Sequence, residues 1–287
     1  MTPDQTIMHP FVIDDEGNGD YTWEQASKES WCSGSGTWDD PYIIEDLTIK
    51  GSQTTVIQYC IKIKNSNKPF VIKNSVFYNS HAGIELENAH NGILSENNCS
   101  DNYIGILVDG NNNWLNANLL LHNSYGIRLD GENNNITQNF IDQQYGDSIY
   151  ISTSAKNTII KLNTIQGAEV CLNPVIYGDY SIDMDTSNTL NGKIIYLYVN
   201  EKHLSRDNFT NAGQIILGNC QDSIISDRDF DLRFSLARSQ NITLKNLTIT
   251  TPIGLRSCFN FKIINNSLNM ISFYNSYYNE LTNNTNY

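Results

Sequence analysis

The sequence predicts an all-β fold, a single-stranded parallel β-helix wound as a solenoid, and three observations lead there. The first is a period. Between Val71 and Ile159 the short runs Ile84-Glu85-Leu86, Ile106-Leu107-Val108, Ile127-Arg128-Leu129 and Ile149-Tyr150-Ile151 recur at steps of 22, 21 and 22 residues. A fixed period in the low twenties marks a repeat whose single unit cannot bury its own apolar face. The second is the two-residue alternation within each run, which makes the runs strands rather than helical turns. Leucine-rich repeats share the period, but these rows lack their leucine scaffold and fixed Asn or Cys position. The third is asparagine. Three columns are expected: Asn91, Asn113, Asn134 and Asn157; Asn97, Asn118 and Asn139; and Asn79, Asn102 and Asn123. Asn tolerates the left-handed backbone of a sharp corner, and stacked amides can bond coil to coil. Sequons such as Asn135-Ile136-Thr137 follow from an Asn-rich repeat and carry little information.

Residues 1–40 are expected to form an N-terminal cap outside the repeat. Thr22-Trp23-Glu24-Gln25 is a capping-box pattern, so a short amphipathic helix carrying Trp23 and Ala26 is expected to plug one end of the solenoid. Ser33-Gly34-Ser35-Gly36 lacks the Gly-Lys-Ser/Thr of a phosphate loop and precedes a strand, so it reads as a turn. Coils then run from residue 41 to residue 287, with an irregular insert at 173–213. Within it, Ser181 to Asp185 and Ile194 to Val199 read as strands, and Glu201 to Gly213 as a protruding loop. After the insert the step shortens, through Leu217, Leu236, Leu255 and Phe273. The sequence stops inside the pattern with no cap, so the expectation is either a piece of something longer or an end-to-end contact in which that last sheet edge meets another molecule.

Composition narrows the function classes. A net charge of −13 and a pI near 4.7 argue against nucleic acid, whose recognition needs clustered Lys and Arg. No apolar run approaches a membrane span. Met1 is followed by TPDQTIMHP, which has neither a basic start nor an apolar core, so no signal peptide is predicted. Six cysteines form no CxxC pair and are expected to be free. Cys220 and Cys258 fall in a small-residue column with Ser66, Ala89, Ser154, Ser239 and Ser276.

Candidate chemistry lies on the outward columns. The middle residue of each triplet and the residue after it point away from the core. That gives Glu85, Leu107, Arg128, Tyr150 and Cys171 in one column, and Glu87, Asp109, Asp130, Ser152 and Asn173 in the next. Carboxylates accept sugar hydroxyls or coordinate a hard ion, and Tyr150 offers a stacking face. The expected site is therefore Glu85, Glu87, Asp109, Arg128, Asp130 and Tyr150, for carbohydrate or Ca²⁺, with Arg128 neutralising Asp109 and Asp130. The same columns also read as a plain charged sheet face. In the insert, Asp183, Asp185, Glu201, His203 and Asp207 are secondary candidates. A glycosidase would need two carboxylates at suitable separation, one with a raised pKa. His9, His81, His90, His122 and His203 are scattered, which disfavours a soft-metal site.

The stretch from His9 through FVIDDEGNGDYTWEQ and WCSGSGTWDDPYIIEDLTIKG, followed by Asn-rich coils, resembles the right-handed parallel β-helix proteins of the NosD-like, pectate-lyase-like superfamily. DTSNTLNGKIIYLYVN and NFTNAGQIILGNCQDSII are similar to an insert that recurs in that family. The resemblance covers nearly the whole chain. It implies a right-handed coil and an extracellular or cell-surface setting, while the family's activities range over sugar lyases, hydrolases, epimerases, copper-delivery accessories and plain binding surfaces. This sequence lacks Asn-Thr-Asp, Gly-His-Gly, Arg-x-Lys and Asp-Pro-His-Asp, which the family's enzymes show. The leading expectation is a non-catalytic surface protein that binds a glycan or a protein partner along an exposed strand face. The alternative is a polysaccharide lyase or glycoside hydrolase acting through outward carboxylates, and a copper-handling accessory comes third.

Overall fold

The computed structural model describes residues 6–52, 59–143, 145–230, 233–249 and 251–286. They fall into two compact units, Met1–Cys171 and Leu172–Tyr287.

In the first unit three parallel sheets are wound from successive coils. One contains Phe11–Asp14, Tyr59–Ser66, Ala82–Ala89, Ile104–Asp109, Tyr125–Asp130 and Ile149–Ile151. Its register aligns Ile61, Ile84, Ile106, Ile127 and Ile149, all buried. A second sheet aligns Ile49, Phe77, Cys99, Leu120, Ile141 and Ile165. The third aligns Ile44, Ile72, Leu94, Leu115, Ile136 and Ile160. Three stacks of fully buried side chains form the core, and the predicted period is the coil length.

The asparagines do two jobs at each corner, in adjacent columns. One residue adopts positive φ and turns the chain; Asn91, Asn112, Asn133 and Asn157 hold φ of 64°, 58°, 58° and 50°. The next residue is buried and carries the ladder. Asn118 is typical. Its Oδ1 accepts from the backbone N–H of Asn97 at 3.1 Å, and its Nδ2 donates to the Leu94 carbonyl at 2.8 Å and to Asn139 Oδ1 at 3.0 Å. Asn97, Asn118 and Asn139 continue to Asn163 in an unbroken buried row, as a satisfied interior amide requires. The expected first and third columns need correction. Asn91 and Asn157 occupy the turning seat, while Gly92 and Thr158 stand beside Asn113 and Asn134 in the ladder seat. Asn79 turns at φ 60°, and Ser80 precedes Asn102 and Asn123. The turning seat accepts other side chains too, including Ala117, His122, Gln138 and Leu162.

The expected cap, residues 1–40, is not wholly outside the repeat. Thr6–Met8 pairs with Leu47–Lys50 and Phe11–Asp14 with Tyr59–Ser66, extending two of the sheets. The helix is a single turn, Trp23–Ala26, closed by the predicted capping box between Thr22 and Gln25. Trp23 covers the core end. It stacks on Tyr42 at 4.7 Å, leans on Phe70, and donates Nε1 to Ser66 Oγ at 2.8 Å. The following turn is held by Ser35 and Thr37 N–H groups donating to the Asp40 carbonyl. Gly34, at φ 87°, sits where a Cβ would lie 1.9 Å from the Pro41 carbonyl oxygen.

The second unit begins with the helix Asn173–Tyr177, started by Pro174 and stopped by Gly178 at φ 95°. Lys193–Val199, Ala212–Gly218, Arg233–Ala237, Ile253–Arg256 and Ile271–Tyr274 form one parallel sheet. Gln221–Phe230, Gln240–Ile249 and Lys262–Ile264 form another. The register aligns Leu217, Leu236, Leu255 and Phe273 as expected from the shorter step. The segment 201–213 is not a protruding loop. Leu204 and Phe209 are buried in the unit's apolar core, and Tyr196 donates its hydroxyl to the Thr210 carbonyl at 2.8 Å. Cys220, Ser239, Cys258 and Ser276 form the later part of the expected small-residue column, with Ser Oγ accepting a Cys N–H at Cys220–Ser239 and Cys258–Ser276, whereas Ser66 and Ala89 pair in a sheet of the first unit. All six cysteines are free thiols. Burial pushes Cys60 and Cys258 up to about 11 and Cys32 up to about 12, so these thiols stay protonated as small core residues.

Candidate functional site

The predicted outward columns are in register as far as Tyr150 and Asp130, while Asn173 leaves its column to open the helix Asn173–Tyr177. Glu85 pairs with Leu107, Leu107 with Arg128 and Arg128 with Tyr150; Glu87 pairs with Asp109 and Asp109 with Asp130. The sheet places these side chains on one face because alternate residues of every strand point out. Their electrostatics differ from expectation at both ends.

At one end, Glu85 and Glu87 are ion-paired. The preceding strand carries Lys62 opposite Glu85 and Lys64 opposite Glu87. Lys62 Nζ lies 2.9 Å from Glu85 and also contacts Glu87, whose other oxygen is 3.1 Å from Lys64. Hydrogen bonding to Lys62 outweighs burial and holds Glu87 below the usual carboxylate range. Burial pulls the Lys62 amine down, but its bonds to Glu87 and Glu85 more than offset this and leave it raised. These two lysines lie one coil before the rows that define the period, so the sequence reading missed them. Extending the same columns back by one step finds them.

At the other end, Arg128 forms no ion pair with Asp109 or Asp130. Its guanidinium lies 5.6 Å from the Tyr125 ring centroid and 5.1 Å from that of Tyr150, a cation held between two π faces. Asp130 instead accepts from Ser152 and Ser154. Asp109 is exposed. The aromatic row continues around the corner: Tyr125 packs edge-on against Tyr103 at 5.5 Å, and Tyr103 lies 5.1 Å from His81. A surface depression of about 280 Å³ is lined by His122, Asn123, Ser124 and Tyr145. Tyr103, Tyr125, Tyr145 and His81 were not predicted as site residues. Their signal is an aromatic one or two positions before each Gly-Ile pair: His81 before Gly83, Tyr103 before Gly105, Tyr125 before Gly126.

The candidates in the insert do not come together. Asp183, Asp185, Glu201, His203 and Asp207 are all exposed. Asp185 accepts from the Ser187 N–H, His203 turns a corner at φ 58°, and Asp207 opens the short 3₁₀ turn Arg206–Phe209. Among the described residues, no group of three or more His, Cys, Asp or Glu side chains is placed to hold a metal ion. The histidines are equally dispersed. His90 Nδ1 accepts from the Asn111 N–H at 2.8 Å, and His122 lies 3.7 Å from Asp101.

A general acid needs a raised pKa, and Glu87 is shifted the other way. What the face offers is a row of rings from the exposed Tyr103 to the half-buried Tyr125 and Tyr150, a guanidinium set between two of them, and the carboxylate acceptors Asp109 and Asp130.

No curated protein matches this chain. The crystal structure of an alginate lyase from Paenibacillus sp. str. FPU-7 aligns over 87% of this chain and 85% of its own, at 13% identity and a TM-score of 0.31. Superposition that loose carries nothing about substrate. The family model described as the right-handed β-helix region matches residues 31–195, more than half of the chain, including every coil that bears the candidate face. Its parallel register and stacked core agree with that match, and the chain belongs to the right-handed β-helix family.

Proposed function

We propose that the first unit is a non-catalytic glycan-binding surface, centred on Tyr103, Tyr125, Arg128 and Tyr150. The observation that carries this reading is the aromatic row with a clamped arginine, flanked by Asp109 and Asp130. Rings take the apolar face of a sugar, while carboxylate and guanidinium take its hydroxyls. Exposed carboxylates repel polyanions, so the expected ligand is a neutral polysaccharide. The binding face is rigid, which reduces the entropy cost of association. A setting at the cell surface or outside the cell follows from the same reading.

Affinity electrophoresis and calorimetry on neutral polysaccharides test it. Tyr125→Ala with Tyr150→Ala is expected to weaken binding about 10-fold or more, roughly what loss of buried aromatic anchors costs. Glu87→Gln is expected to leave binding intact, because that carboxylate serves Lys62 and Lys64. Release of new reducing or unsaturated ends from a bound polysaccharide would favour the lyase or hydrolase alternative. Absence of binding across a broad glycan panel would sink the proposal.

A further inference from the structure

Charge is distributed unevenly along this acidic chain. Between Asp14 and Asp46 ten carboxylates stand against one lysine, Lys28. From Arg233 onward the balance reverses, with Arg233, Arg238, Lys245, Arg256 and Lys262 against the single Glu280. Within the second unit, Arg238 and Arg256 flank one corner. Arg256 stands in register with Ala237, and the Arg238 N–H donates to the Arg256 carbonyl at 2.8 Å. Among the described residues neither guanidinium has a carboxylate partner, although acids outnumber bases 31 to 18.

Arg256 is nevertheless held in place. Its guanidinium lies 5.1 Å from the Tyr177 ring and 4.6 Å from the Tyr274 ring, and it donates to the Tyr177 hydroxyl at 2.9 Å. Fixing a cation between rings without a counter-ion presents its remaining N–H groups for an incoming carboxylate. Past the same corner Phe259 stacks on Tyr277 at 5.9 Å, and Tyr177, Tyr274 and Tyr277 are each more than half exposed. Exposed Tyr, Phe and Arg in one patch is the composition of a protein-binding hot spot.

A matching surface lies in the first unit. The turn after Gly36 projects Trp38, which is 74% exposed, followed directly by the exposed Asp39 and Asp40. Neither carboxylate is ion-paired among the described residues. The turn is braced by its own hydrogen bonds, including Asp40 N–H to Thr37 Oγ1 at 3.1 Å, so the projection is rigid. One ring and two carboxylates on this turn complement rings and two guanidinia on the other surface.

We propose that copies of this chain associate head to tail, with the Trp38-Asp39-Asp40 turn of one copy docking on the Arg238 and Arg256 corner of the next. Such a heterologous contact uses two different surfaces and repeats without using either twice. It is independent of the glycan-binding reading, since it uses none of the residues assigned there.

Sedimentation velocity over a concentration series tests it, at about 20 mM and about 0.5 M NaCl, where screening differs severalfold. Concentration-dependent growth is expected at low salt and loss of it at high salt. Arg238→Glu with Arg256→Glu is expected to weaken self-association about 10-fold or more, as is Asp39→Lys with Asp40→Lys. An equimolar mixture of the two charge-reversed proteins is expected to associate again, which misfolded variants would not do. Circular dichroism reports the fold of each. A wild-type chain that stays monomeric at low salt throughout the series would overturn the proposal. So would association untouched by either reversal, or capture of an unrelated acidic polypeptide such as polyglutamate with no self-association.

Discussion

Two corners of the β-helix, one in each unit, are built from different side chains, and the contrast between Asn118 and Ser239 shows what an amide contributes. In the first unit Asn118 accepts from the coil before it and donates to a carbonyl 24 residues back, so a single side chain ties several coils. In the second unit the comparable seat at Ser239 accepts from Cys220 N–H but donates to Ala237, two residues away in its own coil. In this corner the reach between coils falls to the thiols, Cys220 to the Tyr198 carbonyl and Cys258 to the Leu236 carbonyl, while an amide column returns in the same unit at Asn266, which donates to the Leu244 carbonyl and to Asn284.

Three measurements would sharpen or break this contrast. The largest effect is expected from Asn118→Ala, which leaves the Asn97 backbone and amide donors and the Leu94 carbonyl without their buried partners. Urea unfolding should register a loss of about 3 kcal/mol or more, against about 1 kcal/mol for Ser239→Ala. Equal losses would mean that the amide adds nothing a hydroxyl does not.

Next in size is the acid response of the Lys62 cluster. Glu87 is held below its ordinary value by Lys62, so its contribution is complete above the unfolded carboxylate value of about 4.3 and is lost as pH falls through the lower folded value. Lys62 is raised, so its share is complete below about 10.4 and is lost as pH climbs through the higher folded value. Solvent screening at the part-exposed Glu87 limits the effect of Glu87→Gln to about 1 kcal/mol or less at neutral pH. Stability curves of the wild type and Glu87→Gln should converge in acid, and parallel curves would remove the cluster's role.

The smallest effect concerns the turning seat. Ala117 sits at φ 54°, a conformation that Asn tolerates better, and Ala117→Asn is expected to stabilise by up to about 1 kcal/mol. A rise in melting temperature supports the division of labour between adjacent columns. A fall would show that Ala117 is selected for packing instead.

Much of the fold was legible in the sequence. Ile84, Ile106, Ile127 and Ile149 announced their own register, because alternation and period together leave one arrangement that buries them all. The capping box at Thr22 was readable because its chemistry is local. Asn91 and Asn157 were misassigned because turning and laddering seats are neighbours and both suit asparagine. In Asn111-Asn112-Asn113 nothing local says which residue faces inward. The 201–213 segment looked like a loop because its acids are visible in sequence, while the burial of Leu204 and Phe209 is not.

Side chains repeated at a fixed step determined the family, the coil length and the outward columns by themselves, since a periodic chain has few ways to hide a periodic apolar face. Which charges meet was decided only in three dimensions. Lys62 reaches Glu85 and Glu87 across one coil, and Arg128 turns from the carboxylates to Tyr125 and Tyr150. Long flexible side chains choose among neighbours a few ångströms apart, and that choice follows from local burial and ring placement, which no spacing in the sequence encodes.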